Sequence, residues 1–564
     1  MKFKLVSLFI CIFLIAATLT ATGAMITLKN SALPIFPGAE GFGTKTRGAY
    51  GGSTNPVIYK VTNLNAGGSG SLRAGLEDTV GPRIIIFEVS GTIELNGYIW
   101  VDNPYVTVAG QTAPSPGITL KGGGICVRTH DVIVQHIRIR AGDRSGVDFY
   151  WRDCLDIGEQ GRVAYNVVID HCSFSWATDE NTATWYPTHD VTYQWCIISE
   201  GLDDSYHPEG PHSMGMLIGP ESYRTSIHHN LFAHNANRNP LVGGYGETEI
   251  INNVVYNWEW GSTEFQHYSS AGPQYGNIIG NFYKAGKNTL GKNQAIMVYY
   301  ATSPSKFYIH NNIGPERTSN NQDDWDIVSS SSNRDTLRSN SPTFASSVIS
   351  TQNAFDAYNA VLNNAGARPG DRDSVDKRVV EDVKDGSGQH IDSQDEVGGW
   401  PNLLTKNYRA LTIPSNPHED NDGDGYTNLE EWLQAYAAEI EKISSDNYPT
   451  EIVEQPSVDY TPEVEEQPSE DSTPEIVEQP SSDSTPEVEE QPSSDSTPEI
   501  VEQPSVDSST KNEKHLSDKI SKIKPSTNSG FTTVNLGYLD FIEKSYEKLW
   551  IFVALVKFQL QKTE

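Results

Sequence analysis

The most regular feature of the chain is a short segment in which apolar and polar residues alternate, and which recurs through the first half. Alternation with a period of two is typical of a β-strand. The segments begin at residues 131, 166, 190, 224, 247 and 275, and a looser copy begins at 306. The intervals between the first six starts are 35, 24, 34, 23 and 28 residues. Strands at such variable intervals indicate stacked coils rather than hairpins, so we predict an all-β fold, a parallel β-helix.

The seventh position of most of these segments is small or polar. It holds Cys172, Cys196, Asn230, Asn253, Asn281 and Asn312. An Asn side chain bonds neighbouring backbone groups and tolerates turn geometry, so this column predicts a ladder inside a turn. Cys172 and Cys196 share the column. We interpret them as stacked interior thiols, with a disulfide between them as the alternative.

Helical patterns flank the coils. GSGSLRAGLED at Gly68 predicts an amphipathic helix that caps the open end of the stack. FDAYNAVLNNAGA at Phe355 and VDKRVVEDVKDG at Val375 have helical spacing, and predict helices packed outside the stack. We therefore divide this part of the chain into a β-helix domain at 35–345 and a helical and irregular extension at 346–415.

The two ends of the chain differ in composition from the rest. A basic start, the apolar run Leu5–Ala17 and small residues after it predict a secretory signal peptide over 1–24, and hence an extracellular protein. The run is shorter than the roughly 20 residues that a membrane span needs. Residues 441–510 contain a 12-residue unit rich in Pro, Glu and Ser, which predicts a disordered linker. We assign no role to 511–564, and leave open whether the tail attaches the protein to a cell surface or a complex.

The formal net charge of −32 is concentrated in the tail. Between His418 and Asp507 there are 27 Asp and Glu residues against one Lys, which leaves a balance of −6 for the rest of the chain. The folded part is therefore only mildly acidic, and the charge says little about the substrate. We predict a monomer without a nucleic-acid partner.

Equal offsets in a solenoid place residues above one another. Glu180 lies 14 residues after Asn166, and Arg238 lies 14 residues after Arg224. Both are therefore expected at the start of one sheet, two coils apart, with backbones on the order of 10 Å from each other. Asp153 precedes Glu180 by 27 residues, about one coil, and Asp179 is adjacent.

Carboxylates clustered on one outer face suit Ca²⁺, which prefers hard oxygen ligands. The alternative is a solvated acidic edge. A lone Arg238 is more often a structural arginine that bonds a loop carbonyl, but its expected place on the same face as the acids favours the calcium interpretation.

Several motifs carry a family resemblance. HHNLFAHNANRNPLV, from His228 to Val242, and NVVIDHCSFSW, from Asn166 to Trp176, resemble segments of the pectate lyases of polysaccharide lyase family 1. FPGAEGFG at Phe36 and AGQTAPSPG at Ala109 fit the same subgroup, and the resemblance covers about Phe36 to Trp400.

The resemblance implies a right-handed parallel β-helix and polygalacturonate as the substrate. It implies that Arg238 is the Brønsted base and that Asp153, Asp179 and Glu180 bind calcium. The family often has a Lys between the calcium site and the Arg. The best substitute here is His212, a candidate substrate-binding residue whose alternative role is structural. A second Arg often follows the base by five residues, where this chain has Gly243.

A second calcium motif lies at 416–440. It fits D-x-D-x-D-G-x5-E, with Asp420, Asp422, Asp424, the Tyr426 carbonyl and Glu431 as ligands and Gly425 in the tight turn. The functional interpretation is a structural, EF-hand-like calcium loop, and the alternative is an Asp-Gly linker.

The sequence thus predicts a secreted pectate lyase that cleaves (1→4)-α-D-galacturonan by calcium-assisted β-elimination and yields unsaturated oligogalacturonates. One alternative is a pectin lyase that acts on methylated substrate without calcium. Another is a β-helix that binds polysaccharide without cleaving it, and a third is a hydrolase on the same fold, which would give saturated ends.

Overall fold

The structure is a computed structural model that describes residues 33–143, 152–267, 272–291, 295–301, 304–401 and 407–442. The predicted signal peptide over 1–24 and the segment 511–564 lie outside the described residues, as do all but the first two residues of the predicted linker at 441–510. No helix in the described ranges combines the length and apolar character needed to cross a bilayer.

The described residues contain 27 β-strands and four α-helices. The strands are β1 Val57–Val61, β2 Arg83–Phe87, β3 Gly91–Glu94, β4 Ile99–Val101, β5 Val106–Ala109, β6 Ile118–Lys121, β7 Ile125–Val127, β8 His130–Gln135, β9 Ile137–Arg140, β10 Leu155–Ile157, β11 Ala164–Asp170, β12 Ser173–Ser175, β13 Glu180–Thr184, β14 Thr188–Gln194, β15 Ile197–Ser199, β16 Met214–Ile218, β17 Ser222–His228, β18 Leu231–Ala233, β19 Leu241–Val242, β20 Gly246–Ile251, β21 Val254–Tyr256, β22 Thr263–Gln266, β23 Gln274–Ile279, β24 Phe282–Lys284, β25 Ile296–Tyr299, β26 Lys306–His310 and β27 Val328–Ser330. The helices are α1 Arg334–Leu337, α2 Ala354–Asn364, α3 Ser374–Asp385 and α4 Asn428–Glu441.

The strands form three parallel sheets that run the length of a right-handed β-helix. Sheet I has the order β1-β2-β5-β8-β11-β14-β17-β20-β23-β26, sheet II the order β27-β25-β22-β19-β16-β13-β10-β7-β4, and sheet III the order β24-β21-β18-β15-β12-β9-β6-β3. Each rung passes from sheet I to sheet III and then to sheet II, as β11, β12 and β13 do. The predicted stacked coils are therefore confirmed.

Apolar side chains from all three sheets, aliphatic and aromatic, fill the inside of the coil. Ile169, Phe174 and Tyr193 are among the fully buried members of this single large cluster. Inward-facing residues of a parallel solenoid lose all contact with water, which is the main stabilising term of the fold. Cys126, Cys154, Cys172 and Cys196 are buried free thiols, as the interpretation of stacked interior thiols required.

The predicted asparagine ladder lies in the turn from sheet I to sheet III. The amide oxygen of Asn253 accepts from the backbone N–H of Asn230 at 2.9 Å, and that of Asn281 accepts from Asn253 at 2.8 Å. Asn312 continues the column with a 3.0 Å bond to Asn281. Each of these side chains also donates to a backbone carbonyl. Buried backbone groups in the turn that form no hydrogen bond within a sheet therefore still have a partner.

The helices cover the outside of the coil. Val361 of α2 and Val379 of α3 pack on the outer face of sheet III, and Leu429 and Leu433 of α4 pack on that of sheet I. The prediction of external helices at Phe355 and Val375 is confirmed. The predicted helical cap after Gly68 is only partly present, because this segment contains a short π-helix, Ala74–Asp78, in place of a longer amphipathic helix.

Candidate active site

The predicted acids meet at the corner where the chain passes from sheet III to sheet II. Leu155 of β10 pairs with Thr182 of β13, so Asp153 is level with Glu180 on the adjacent rung. Glu180 in turn pairs with Met214 of β16, and Met214 bridges to Asn237 beside Arg238. The spacing argument therefore places the residues as expected, on one corner of successive rungs.

Three carboxylates form a compact cluster at this corner. Asp153, Asp179 and Glu180 each offer one oxygen, and these atoms lie within 4.8 Å of one another. Asp153 is only 8% exposed and Glu180 only 5%. Desolvation, with the charges of Asp156 and Asp179, raises the pKa of Asp153 well above its ordinary range. A bound cation would favour the ionised form of Asp153.

The residues present fit a calcium ion. The donors are all carboxylate oxygens, which hard divalent cations prefer. Oδ1 of Asp153 is buried and has no hydrogen-bond partner, so one ligand atom is left over after the protein's own bonds are made. Asp156, which the sequence analysis did not single out, adds a fourth carboxyl, and desolvation raises its pKa to about 6.

Arg238 reaches this cluster directly. Its guanidinium forms an ion pair with the carboxylate of Glu180, and its side chain is 24% exposed. The long side chain spans the two-rung gap between the backbones of Arg238 and Glu180. Arg238 has a φ of 58°, a left-handed conformation that is costly for a residue with a Cβ atom. The same left-handed conformation recurs elsewhere in the turns of the coil, at His234 and Asn257 for example, so it belongs to the geometry of the coil.

Buried asparagines fix the backbone around Arg238. The amide of Asn181 donates to Asn235 at 3.0 Å, and Asn235 donates to Asn239 at 3.0 Å. Asn181 also accepts from the backbone N–H of Ala177 at 3.2 Å. The loop that carries Arg238 and the loop that carries Asp179 are therefore held by one shared network. The sequence analysis missed Asn181 because its role depends on contacts across rungs.

The side chain of His212 contacts one of the predicted calcium ligands. Its Nε2 is 2.9 Å from Oδ1 of Asp179, and its ring stacks on His207 with centroids 3.7 Å apart. Burial alone would raise the pKa of Asp179, but hydrogen bonds from His207 and His212 hold it well below its ordinary range. The pair therefore keeps Asp179 ionised. Sequence reasoning missed His207 because it lies in the long connection from β15 to β16.

A buried glutamate lies on the other side of Arg238. Glu264 of β22 pairs with Leu241 and is 1% exposed, and its Oε1 lies 3.4 Å from the backbone N–H of Arg238. Desolvation raises the pKa of Glu264 to about 7, although the bond from Arg238 opposes the rise. Its position in an alternating strand gave no signal in the sequence.

The second predicted calcium loop lies away from this corner, at the start of α4. One oxygen each of Asp420, Asp422 and Asp424 lies within 4.8 Å of the others, and all three residues are exposed. Gly425 has a φ of 101°, as the predicted tight turn requires. Glu431 is outside that group of three, but slight desolvation and the charges of Asp422, Asp424 and Asp420 raise its pKa. Tyr426 anchors the loop by donating its hydroxyl to the Pro34 carbonyl at 2.8 Å.

Known proteins resemble this chain over most of its length. The probable pectate lyase C of Aspergillus fumigatus is 33% identical over 416 residues, which cover 73% of this chain and 90% of that protein. The probable pectate lyase C of Emericella nidulans is 33% identical over 405 residues, which cover 70% and 85%. Among solved structures, the cedar pollen allergen Jun a 1 covers 58% of this chain and 92% of its own, at 18% identity and a TM-score of 0.43. No family model matches the chain.

The fold, the site and these relatives define the class of protein. The chain is a polysaccharide lyase, an enzyme built on a right-handed parallel β-helix. Because it matches nine tenths of the first relative's length at 33% identity, the chain belongs to the pectate lyase family.

Proposed function

We propose that this protein is a pectate lyase of polysaccharide lyase family 1 that cleaves polygalacturonate by β-elimination with the help of calcium. The observation that carries the proposal is the meeting of Arg238 with Asp153, Asp179 and Glu180 at one corner. A polyanionic substrate needs positive charge to bind, and this corner combines a guanidinium with an acidic cluster suited to a divalent cation.

In the proposed site, Asp153, Asp179 and Glu180 hold the calcium ion. When bound, Ca²⁺ would supply positive charge that offsets the charge of the uronate carboxylates and makes the proton at C5 more acidic. The contribution of His207 and His212 is to keep Asp179 ionised and oriented. The hydrogen bonds of Asn181 and Asn235 hold the loop that carries Asp179 next to the loop that carries Arg238.

The proposed role of Arg238 is proton abstraction. In the deprotonated form of Arg238, which the positive charge of bound calcium would favour, a guanidine nitrogen accepts the proton from C5 of a galacturonate unit. The electron pair of the C5–H bond forms the C4=C5 double bond, and the bond from C4 to the glycosidic oxygen breaks. The leaving oxygen takes a proton from water, and Arg238 returns its proton to solvent. No carboxyl pair flanking the glycosidic oxygen is required, which separates this reaction from hydrolysis.

Replacement of Arg238 tests the proposal. We expect Arg238→Ala and Arg238→Lys to lower the rate of unsaturated product formation, followed by absorbance on polygalacturonate with Ca²⁺, by about 10²- to 10⁴-fold. The matched control is Arg338→Ala, which removes a partly exposed arginine that pairs with Asp323 at 2.7 Å. An Arg238 variant with the wild-type rate would refute the assignment.

The same assay separates the alternatives. A chelator should abolish the wild-type activity, and added Ca²⁺ should restore it. Activity on methylated substrate that survives the chelator would indicate a pectin lyase, and new reducing ends without absorbance would indicate a hydrolase. Binding without any product would leave only a polysaccharide-binding protein.

Three further predictions remain as the sequence states them. They are export through the signal peptide over 1–24, action as a monomer, and calcium binding by the loop of Asp420, Asp422, Asp424, Tyr426 and Glu431.

A further inference from the structure

A column of residues continues from the acidic cluster along the corner between sheet III and sheet II. Glu180 pairs with Met214, and Met214 bridges to Asn237. Strand β22 follows β19 with an offset of 23 residues, which places Trp260 level with Asn237 on the next rung. Neighbouring strands lie about 4.8 Å apart, so Trp260 stands three rungs, or about 14 Å, from Glu180 along the axis. We call this set of four residues the corner column.

The far end of the corner column carries large apolar side chains that are open to water. Trp260 is 53% exposed, and Leu290, on the rung after it, is 61% exposed. Backbone bonds hold both residues at this corner, because Trp260 donates to the Ala236 carbonyl at 3.4 Å and Leu290 donates to the Glu259 carbonyl at 3.0 Å. Exposed apolar side chains on successive rungs mark a binding surface, and an indole ring can pack against the C–H face of a sugar.

The guanidinium of Arg238 is directed away from this end. Arg238 lies one rung before Trp260, and its side chain reaches back to Glu180, two rungs earlier. In the described corner segments beyond it, 257–262 and 285–291, the one cationic side chain is that of Lys287, whose Nζ donates to an amide oxygen at 2.5 Å. Among the described residues of this corner, positive charge is therefore concentrated at the calcium end.

The far end carries negative charge instead. One atom each of Asp203, Glu259 and His390 lies within 4.8 Å of the others, and Glu259 adjoins Trp260 in the chain. Burial lowers the pKa of His390 to about 4, so at neutral pH the ring is uncharged and does not offset the two carboxylates. Like charges placed close together repel, which disfavours a free uronate carboxylate here and favours a neutral derivative of it.

We propose that Trp260 and Leu290 form a subsite for a methyl-esterified galacturonate unit. The inference rests on the proposed function and specifies its substrate, a partly esterified pectin with a free carboxylate at the calcium end and an ester at the other end. Esterification removes the charge that Glu259 and Asp203 repel. The methyl group and the C–H face of the sugar gain contact with the indole ring and the leucine side chain.

The test compares kcat/KM of the full chain on two substrates in saturating Ca²⁺, polygalacturonate and a randomly esterified low-ester pectin. We expect Trp260→Ala to lower kcat/KM about 10-fold on the esterified substrate and less than about 2-fold on polygalacturonate. Trp260→Phe keeps an aromatic ring and should retain most of the efficiency. The control is Tyr300→Ala, which removes a 60% exposed ring at the opposite end of sheet II and should change neither value.

A charged variant and the products give two independent readouts. Trp260→Arg should shift the ratio of the two efficiencies further toward polygalacturonate than Trp260→Ala does, because a guanidinium pairs with a free carboxylate. Mass spectrometry of the wild-type products from low-ester pectin should find methyl esters enriched on one side of the cleaved bond, since the subsite lies on one side of Arg238. Trp260→Ala should lose that asymmetry.

Three results would overturn the inference. They are equal losses on both substrates in Trp260→Ala, esters spread equally over both new ends, and a wild-type chain that cleaves polygalacturonate but rejects the esterified pectin. A wild-type chain that cleaves neither substrate would refute the proposed function itself, on which the inference rests. Circular dichroism checks that each variant is folded.

Discussion

Two columns of polar side chains run along this β-helix, and they differ in whether their buried polar atoms have hydrogen-bond partners. In the turn from sheet I to sheet III, Asn230, Asn253 and Asn281 bond to one another and to backbone groups until every amide has a partner. At the corner from sheet III to sheet II, Asp153 and Glu180 lie on adjacent rungs in the same manner, but Oδ1 of Asp153 is buried without a hydrogen-bond partner. The satisfied column stabilises the fold, whereas the unsatisfied one gives up stability to create a site.

The sharpest test of this contrast is Asp153→Asn. We expect the lyase rate at limiting Ca²⁺ to fall by on the order of 10²- to 10³-fold, because a charged ligand is lost. The free energy of unfolding in chelator at neutral pH should not fall, since a neutral amide replaces a buried carboxyl. Rates against Ca²⁺ concentration and urea denaturation measure the two effects. The exposed Asp335→Asn is the control, and a large loss of stability in Asp153→Asn would contradict the contrast.

The converse change is Asn253→Ala in the ladder. It removes the acceptor for the backbone N–H of Asn230 and the donor to the Ile227 carbonyl, both buried. We expect the free energy of unfolding to fall by about 3 kcal/mol, while the rate per folded molecule stays unchanged. Urea denaturation measures the free energy of unfolding, and an assay at low temperature measures the rate. The exposed Asn321→Ala is the control. Loss of activity without loss of stability would show that the ladder also serves the site.

A pH-dependent test uses Glu264, whose pKa is raised by burial from 4.5 to about 7. Between those values the folded chain binds more protons at this residue than the unfolded chain, so its contribution to stability falls as the pH rises. We expect Glu264→Gln to be more stable than the wild type by about 2 kcal/mol at pH 8, with a much smaller difference at pH 4. Unfolding in urea at both pH values measures this.

The control for Glu264 is Glu316→Gln, an exposed glutamate whose replacement should change stability equally at both pH values. If Glu264→Gln gains nothing at pH 8, then Glu264 is ionised in the folded protein and the neighbouring Arg238 stabilises its charge more than burial opposes it.

The smallest expected effect concerns His212→Gln. Because His212 bonds Asp179, we expect the Ca²⁺ concentration for half-maximal rate to rise about 10-fold while the KM for polygalacturonate changes little. The matched control is His310→Gln, which breaks a 2.9 Å contact with Asp324 on a distant rung. A raised KM with an unchanged calcium requirement would instead support the substrate-binding role predicted from the sequence.

The coil and the placement of the acids were predictable because both depend on periodicity. Equal offsets along the chain become equal heights along the solenoid, so Glu180 and Arg238 could be placed on one corner without coordinates. Contacts that depend on side-chain reach could not be predicted, as the ion pair between Arg238 and Glu180 shows. His207 and Glu264 were missed for the same reason, because one lies in an irregular loop and the other in an ordinary strand. Glu441 and His136 are far apart in the sequence and come into contact only because α4 packs on the coil.

The corner loops have a use beyond this protein. The chain leaves sheet III after Ser175 and re-enters sheet II at Glu180, while on the next rung the whole stretch 200–213 intervenes before Met214, yet Glu180 and Met214 still pair. Loop length at this corner is therefore independent of strand register. A protein engineer can therefore lengthen the 200–213 segment without changing the register, provided that His207 and His212 keep their contacts with Asp179 and Ser213 keeps its bond to Ala236.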